Sequence, residues 1–101
     1  MGQEDLWNRF PAARGRLSHR QIDNEKVVLD LDRGTFFTLT EVAAFVWDRI
    51  DGRRTAEQLL NEVIEQYDVA ELVARADLQE LIEDLVREGL IELRDAPPAT
   101  A

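Results

Sequence analysis

Val27-Val-Leu-Asp-Leu-Asp-Arg-Gly-Thr-Phe-Phe-Thr-Leu39 is the stretch whose reading decides the fold. Residues 27–31 alternate, with Val27, Leu29 and Leu31 on one face of a strand and Val28 and Asp30 on the other. Asp32-Arg33-Gly34 follows as a turn, with Gly where a positive φ costs least. Thr35-Phe-Phe-Thr-Leu39 is β-branched and aromatic and predicts a second strand. The two make a hairpin. Upstream, Leu17–Ile22 is a more polar strand candidate that pairs with residues 27–31 across Asp23-Asn24.

A sheet this small needs helices against it, and three follow. Thr40 suits a helix N-cap, and Val42, Ala43, Phe45, Val46, Trp47 and Ile50 form a broad apolar stripe that ends at Asp51-Gly52. Thr55 with Gln58 makes a capping box. Behind it Ala56, Leu59, Leu60, Val63, Ile64 and Tyr67 recur at helical spacing. Asp77 with Glu80 resembles another start, followed by Leu78, Leu81, Ile82, Leu85 and Val86, with Gly89 as the stop. Residues 69–75 fit either a loose turn or the front of that helix, and residues 90–93 a short extended piece. The order predicts an α+β domain, a three-stranded antiparallel sheet followed by three helices, which can assemble in a winged helix-turn-helix manner. Residues 1–15 read as a flexible arm with room for one helical turn, 16–94 as the working domain, and 95–101 as a disordered tail.

Composition removes several function classes. The chain has 101 residues, no Cys and a net charge of −9. One core is all that length allows, and disulfides, thiolate metal sites and thiol nucleophiles are excluded. No apolar run is long enough to span a membrane and no secretory signal opens the chain, so the expected address is the cytoplasm. Residues 1–54 carry nine basic and nine acidic side chains, whereas residues 55–101 carry three and twelve. The whole excess lies on the helical half, where it repels phosphates.

Catalytic chemistry is sparse. His19 is the only histidine, and it has no evident orienting group or nucleophile beside it. Asp30, Asp32 and Glu41 match positions one, three and twelve of a calcium loop counted from Asp30. Gly34 offers no ligand at position five, however, and Thr35 stands where the loop needs glycine. A hairpin turn explains these residues better. No phosphate-cradling glycine loop is present. Neither an enzyme, nor a metal centre, nor a cofactor is expected.

The ordered set of the hairpin, Thr40-Glu-Val-Ala-Ala-Phe-Val-Trp-Asp48, Asp51-Gly52, Arg54-Thr-Ala-Glu-Gln-Leu59 and Leu85-Val-Arg-Glu-Gly-Leu-Ile91 resembles the PqqD family. That family's pattern is a strand ending in Leu-Asp, a Gly turn, an aromatic strand, Leu-Asn, a helix with Trp, a Gly-x-x-Thr helix start and a final Gly-Leu. Thr40 stands where the family often has Asn, and both residues cap helices. The resemblance implies a recognition element for ribosomally made, post-translationally modified peptides. Such domains bind a precursor's leader and present its core to a modifying enzyme such as a protease, cyclase or radical SAM enzyme. Members stand alone in pyrroloquinoline quinone and lasso-peptide pathways or are fused to enzymes. The leader adds as a strand to the third strand and packs toward the third helix.

Those implications select Thr35, Phe36, Phe37, Thr38 and Leu39 on the strand, and Leu78, Leu81, Ile82 and Leu85 on the helix, as peptide-binding residues. Glu80, Asp84 and Glu88 are candidates for contacts with basic leader residues. The residues support this independently. The last strand of a 1-2-3 sheet has an open edge, and residues 35–39 carry none of the Lys, Pro or charge that normally blunts one. Phe36 and Phe37 point to opposite faces, so one can serve the core while the other serves a groove. Two other readings compete. A winged-helix DNA-binding regulator fits the architecture, but its recognition helix, residues 77–88, holds five acidic residues and one Arg. A scaffold or homodimer would pair the open strand with a second copy.

Overall fold

The computed structural model describes residues 3–99. A short 3-10 helix, Gln3–Asn8, is followed by strands β1 (Phe10–Ala13), β2 (Leu17–Ile22), β3 (Glu25–Asp30) and β4 (Thr35–Leu39). Helices α1 (Glu41–Arg49), α2 (Ala56–Tyr67) and α3 (Glu71–Arg87) come next, and strand β5 (Ile91–Arg94) closes the fold. β2, β3 and β4 form the expected antiparallel sheet in that order. Asp23, at φ 54°, makes the tight turn between β2 and β3. The winged-helix likeness goes no further than a hairpin beside three helices.

One face of the sheet is covered. Val28 and Leu39 are buried and Phe37 half-buried against the helices, together with Val46, Trp47, Leu59, Leu60, Leu78, Ile82 and Leu85. Lys26 lies on the same face and reaches Asp48 of α1 at 2.6 Å, so its charge is paired where it is shielded from water. Asp30 is buried too. Its Oδ1 accepts the main-chain N–H groups of Asp32 and Arg33 at 3.0 and 3.2 Å, which closes the β3–β4 turn with Gly34 at φ 71°.

The helix ends show which local signals act. The Thr55–Gln58 capping box forms in both directions, at 3.1 and 2.8 Å. Thr40 holds the N-cap position of α1 without a side-chain cap bond. α3 starts at Glu71, not at Asp77: Asp77 and Glu80 lie inside the helix, and residues 71–75 are its front. At its other end the N–H of Gly89 donates to Val86 and that of Leu90 to Leu85. This is a Schellman turn that requires the left-handed conformation Gly89 adopts.

A second, two-stranded sheet was not anticipated. β1 pairs antiparallel with β5, Phe10 opposite Arg94 and Ala13 opposite Ile91. Residues 10–13 thus form structure within the segment read as an arm, and the 3-10 helix before them packs Leu6 into the core. Residues 1–2 and 100–101 of the expected arm and tail lie outside the described residues.

Candidate functional site

The hydrogen-bond parity of the sheet determines what each edge offers. Leu31 N–H donates to Arg16 C=O, so Leu31, Leu29 and Val27 turn their backbone groups to β2, and Asp30, Val28 and Lys26 turn theirs to β4. These pair with Thr35, Phe37 and Leu39. Phe36 and Thr38 therefore present N–H and C=O outward, along an edge with no strand beyond it among the described residues. That is a template of four unpaired backbone groups.

Helix α3 runs alongside this edge. At one end Arg33, in the β3–β4 turn, donates from Nη1 to the main-chain carbonyl of Glu88 at 3.1 Å. At the other end Thr40, just past β4, shares an apolar pit of about 230 Å³ with Val73, Asp77 and Leu81 of α3. Val42, Val46 and Tyr67 complete its walls. These two contacts bring α3 to both ends of β4, and the space between strand and helix is the candidate groove. Val73, Asp77, Leu81, Asp84 and Glu88, spaced four, four, three and four apart, fall on one stripe of α3. The wall is thus apolar near the pit and acidic toward Arg33.

The strand candidates divide by face. Phe36 is 66% exposed on the uncovered side of the sheet, opposite Leu29. Phe37 packs inward and Leu39 is buried. Thr35 and Thr38 are exposed. On α3, Leu81 is half-buried in the wall and Leu78 is a buried residue of the pit lining. Ile82 and Leu85 belong to the core, Ile82 with no exposed surface at all. Glu80 is exposed. Asp84 is ion-paired with Arg87 one turn on, which holds that guanidinium more firmly protonated. Glu88 is exposed, and its carbonyl is engaged by Arg33.

Sequence reasoning missed Val42, Tyr67, Val73 and Asp77 as lining residues. Asp77 carried a signal, but one read as a helix start. Tyr67 sits edge-on to Phe45, with ring centroids 5.4 Å apart. Burial, and then the charge of Glu41, push its hydroxyl above the ordinary tyrosine value, so it enters the pit as a neutral phenol. Among the described residues, no three His, Asp or Glu side chains gather as metal ligands. His19 is exposed on β2, and Asp30 is occupied as the cap of its turn. No helix among them is long and apolar enough to cross a membrane.

No curated protein matches the chain. Among solved structures, TbiB1 in complex with the TbiA(beta) leader peptide superposes with a TM-score of 0.73 at 25% identity, over 80% of this chain and 94% of that one. A lasso peptide synthetase B1 complexed with the leader peptide superposes at 0.72, with 23% identity over 81% and 96% of the two chains. The second likeness is one of fold. Residues 25–91, from the start of β3 to the start of β5, match the family of coenzyme PQQ synthesis protein D (PqqD). The β3–turn–β4 hairpin and all three helices fall within that span, and the chain belongs to the PqqD family.

Proposed function

We propose that the chain binds the leader segment of a ribosomally made precursor peptide and delivers it to a modifying enzyme of a lasso-peptide, pyrroloquinoline-quinone-like or related pathway. The open edge of β4, with α3 reaching both of its ends, carries this reading. A leader entering there pairs with Phe36 and Thr38 along the backbone. Every second side chain then points toward the α1–α3 side, where the pit takes an apolar residue. Thr35, Phe37 and Leu39 hold the strand in place, and Leu78, Ile82 and Leu85 hold α3 opposite it, so only Leu81 and the rim of Leu78 meet the peptide from the helix. Glu80, Asp84 and Glu88 face basic leader residues.

The magnitudes suit a carrier. Four ladder hydrogen bonds contribute ~1 kcal/mol each, and two or three apolar anchors roughly 1.5–3 each. Ordering the leader costs about 2–5 kcal/mol, and association costs several more. Set against a gain of about 7–13 kcal/mol, these costs leave binding no tighter than the micromolar range, for which 1 μM is about −8 kcal/mol. Such a complex releases its cargo readily. The chain performs no chemistry itself, works in the cytoplasm, and uses residues 16–94 as its binding unit.

Titration with the leader encoded beside the gene tests the reading. The amide signals of Phe36 and Thr38 and of α3 around Leu81 shift on binding. No shift with any neighbouring precursor leader overturns it. Binding to duplex DNA is not expected, because the exposed face of α3 is acidic.

A further inference from the structure

The sheet has a second open edge. β2 lies at its far side, and five of its six residues are exposed. The same parity that turns Arg16, Ser18, Arg20 and Ile22 toward β3 turns the backbone groups of Leu17, His19 and Gln21 outward. This edge is a residue longer than that of β4. Beneath it lies an open cleft of about 460 Å³, lined by Leu17 and His19 from β2, Trp47, Asp48 and Ile50 around the end of α1, and Ala13.

Charge identifies what fits there. From Leu6 to Ile22 the chain holds four Arg and one His and no Asp or Glu, although the whole carries −9. Arg9 is paired with Asp95 and Arg16 with Asp32. Among the described residues, Arg14 and Arg20 have no carboxylate partner. The one acid in the cleft, Asp48, is neutralised by Lys26. A second copy of the chain is a poor occupant, because two-fold pairing of β2 with itself sets His19 against His19 and brings the same arginines together.

We propose that the β2 edge is a second strand-addition site, which takes an extended acidic segment of the modifying enzyme while the leader occupies β4. The identity of that partner rests on the function proposed above; the site itself does not. Two strand spacings, about 10 Å, separate the edges, so both are filled at once without competition. Cargo and enzyme then share one sheet. Alternate side chains of the added segment enter the cleft beside Trp47 and Ile50, and its carboxylates meet Arg14 and Arg20.

The test uses the full chain and two synthetic peptides, one alternating Glu and Val, the other Lys and Val. The acidic peptide is expected to shift the amides of Leu17, His19 and Gln21, and the basic one to bind there at least tenfold more weakly. The double variant Arg14→Glu, Arg20→Glu is expected to weaken the acidic peptide at least tenfold. His19→Pro removes an outward N–H without breaking the β2–β3 ladder, and is expected to abolish its binding while leaving leader-induced shifts at Phe36 and Thr38 intact. Equal response to both peptides, no response on β2, or shifts confined to Phe36 and Thr38 would each overturn the second site. Loss of leader response at β4 with a responsive β2 would instead overturn the function proposed above.

Discussion

Arg33 Nη1 and the main-chain carbonyl of Glu88 lie 3.1 Å apart, joining the tip of the β3–β4 hairpin to the C-terminus of α3. The bond spans the end of the groove and sets how far β4 stands from the helix there. Arg33→Ala is expected to cost about 1 kcal/mol of stability and to lower leader affinity several-fold. Hydrogen exchange at Gly34 and Phe36 reads the loosened tip directly, and unchanged exchange would show that the clasp is idle.

Gly89 sits under the same guanidinium. A Cβ at this position would lie 3.0 Å from both terminal nitrogens of Arg33, on a backbone at φ +77°. Gly89→Ala is expected to cost roughly 1–2 kcal/mol from the left-handed conformation alone, and to displace Arg33. Urea denaturation should show a lower midpoint with an unchanged slope.

Adjacent phenylalanines should separate stability from binding. Phe37 packs on the core, so Phe37→Ala is expected to cost about 2 kcal/mol, below the roughly 3–5 of a fully buried ring. Phe36→Ala should leave stability within about 0.5 kcal/mol and weaken leader binding. Equal effects of both substitutions on unfolding would contradict the assignment of faces.

Thr38→Pro tests the edge itself. The lost N–H points away from β3, so the existing ladder survives, while a strand added to β4 loses a donor and meets the ring. Leader affinity is expected to fall at least tenfold, with a native circular dichroism spectrum.

Acid titration should single out Asp32. The side-chain hydrogen bond from Arg16, followed by the bond from its backbone N–H, holds this carboxyl below its ordinary value of 3.8. A depressed folded value contributes stability above the unfolded pKa, lost as pH falls through the folded one. The contribution is thus constant through neutral pH and disappears below about pH 4. Carboxyl chemical shifts should place the Asp32 midpoint below its ordinary value of 3.8, and Arg16→Gln should raise it.

The elements legible in the sequence are those whose signal is local. β2 and β4 have the expected bounds because alternation and turn residues act over a few positions. α2 begins where its capping box stands. The front of α3 was ambiguous because Ala70 provides no side-chain cap, and Leu72, 83% exposed beside the half-exposed Val73, breaks the amphipathic stripe. β1 and β5 were missed as a pair. Each is four residues long, β1 contains Pro11, and the pairing joins residues some eighty positions apart. The groove was half legible: an unguarded strand is visible in composition, but which α3 residues face it depends on how the helix is rotated. That rotation buries Ile82 and Leu85 and leaves Leu81 and Asp77 at the wall.

The pairing of Phe10 with Arg94 brings the two ends of the folded chain together, in a small sheet separate from the one that carries both open edges. A domain whose ends meet is easily spliced into a host. Another polypeptide can be joined at either end, or the whole unit inserted into a loop of an enzyme, without disturbing β4 or α3. The same closure permits circular permutation, with new ends cut at the exposed Asp23-Asn24 turn.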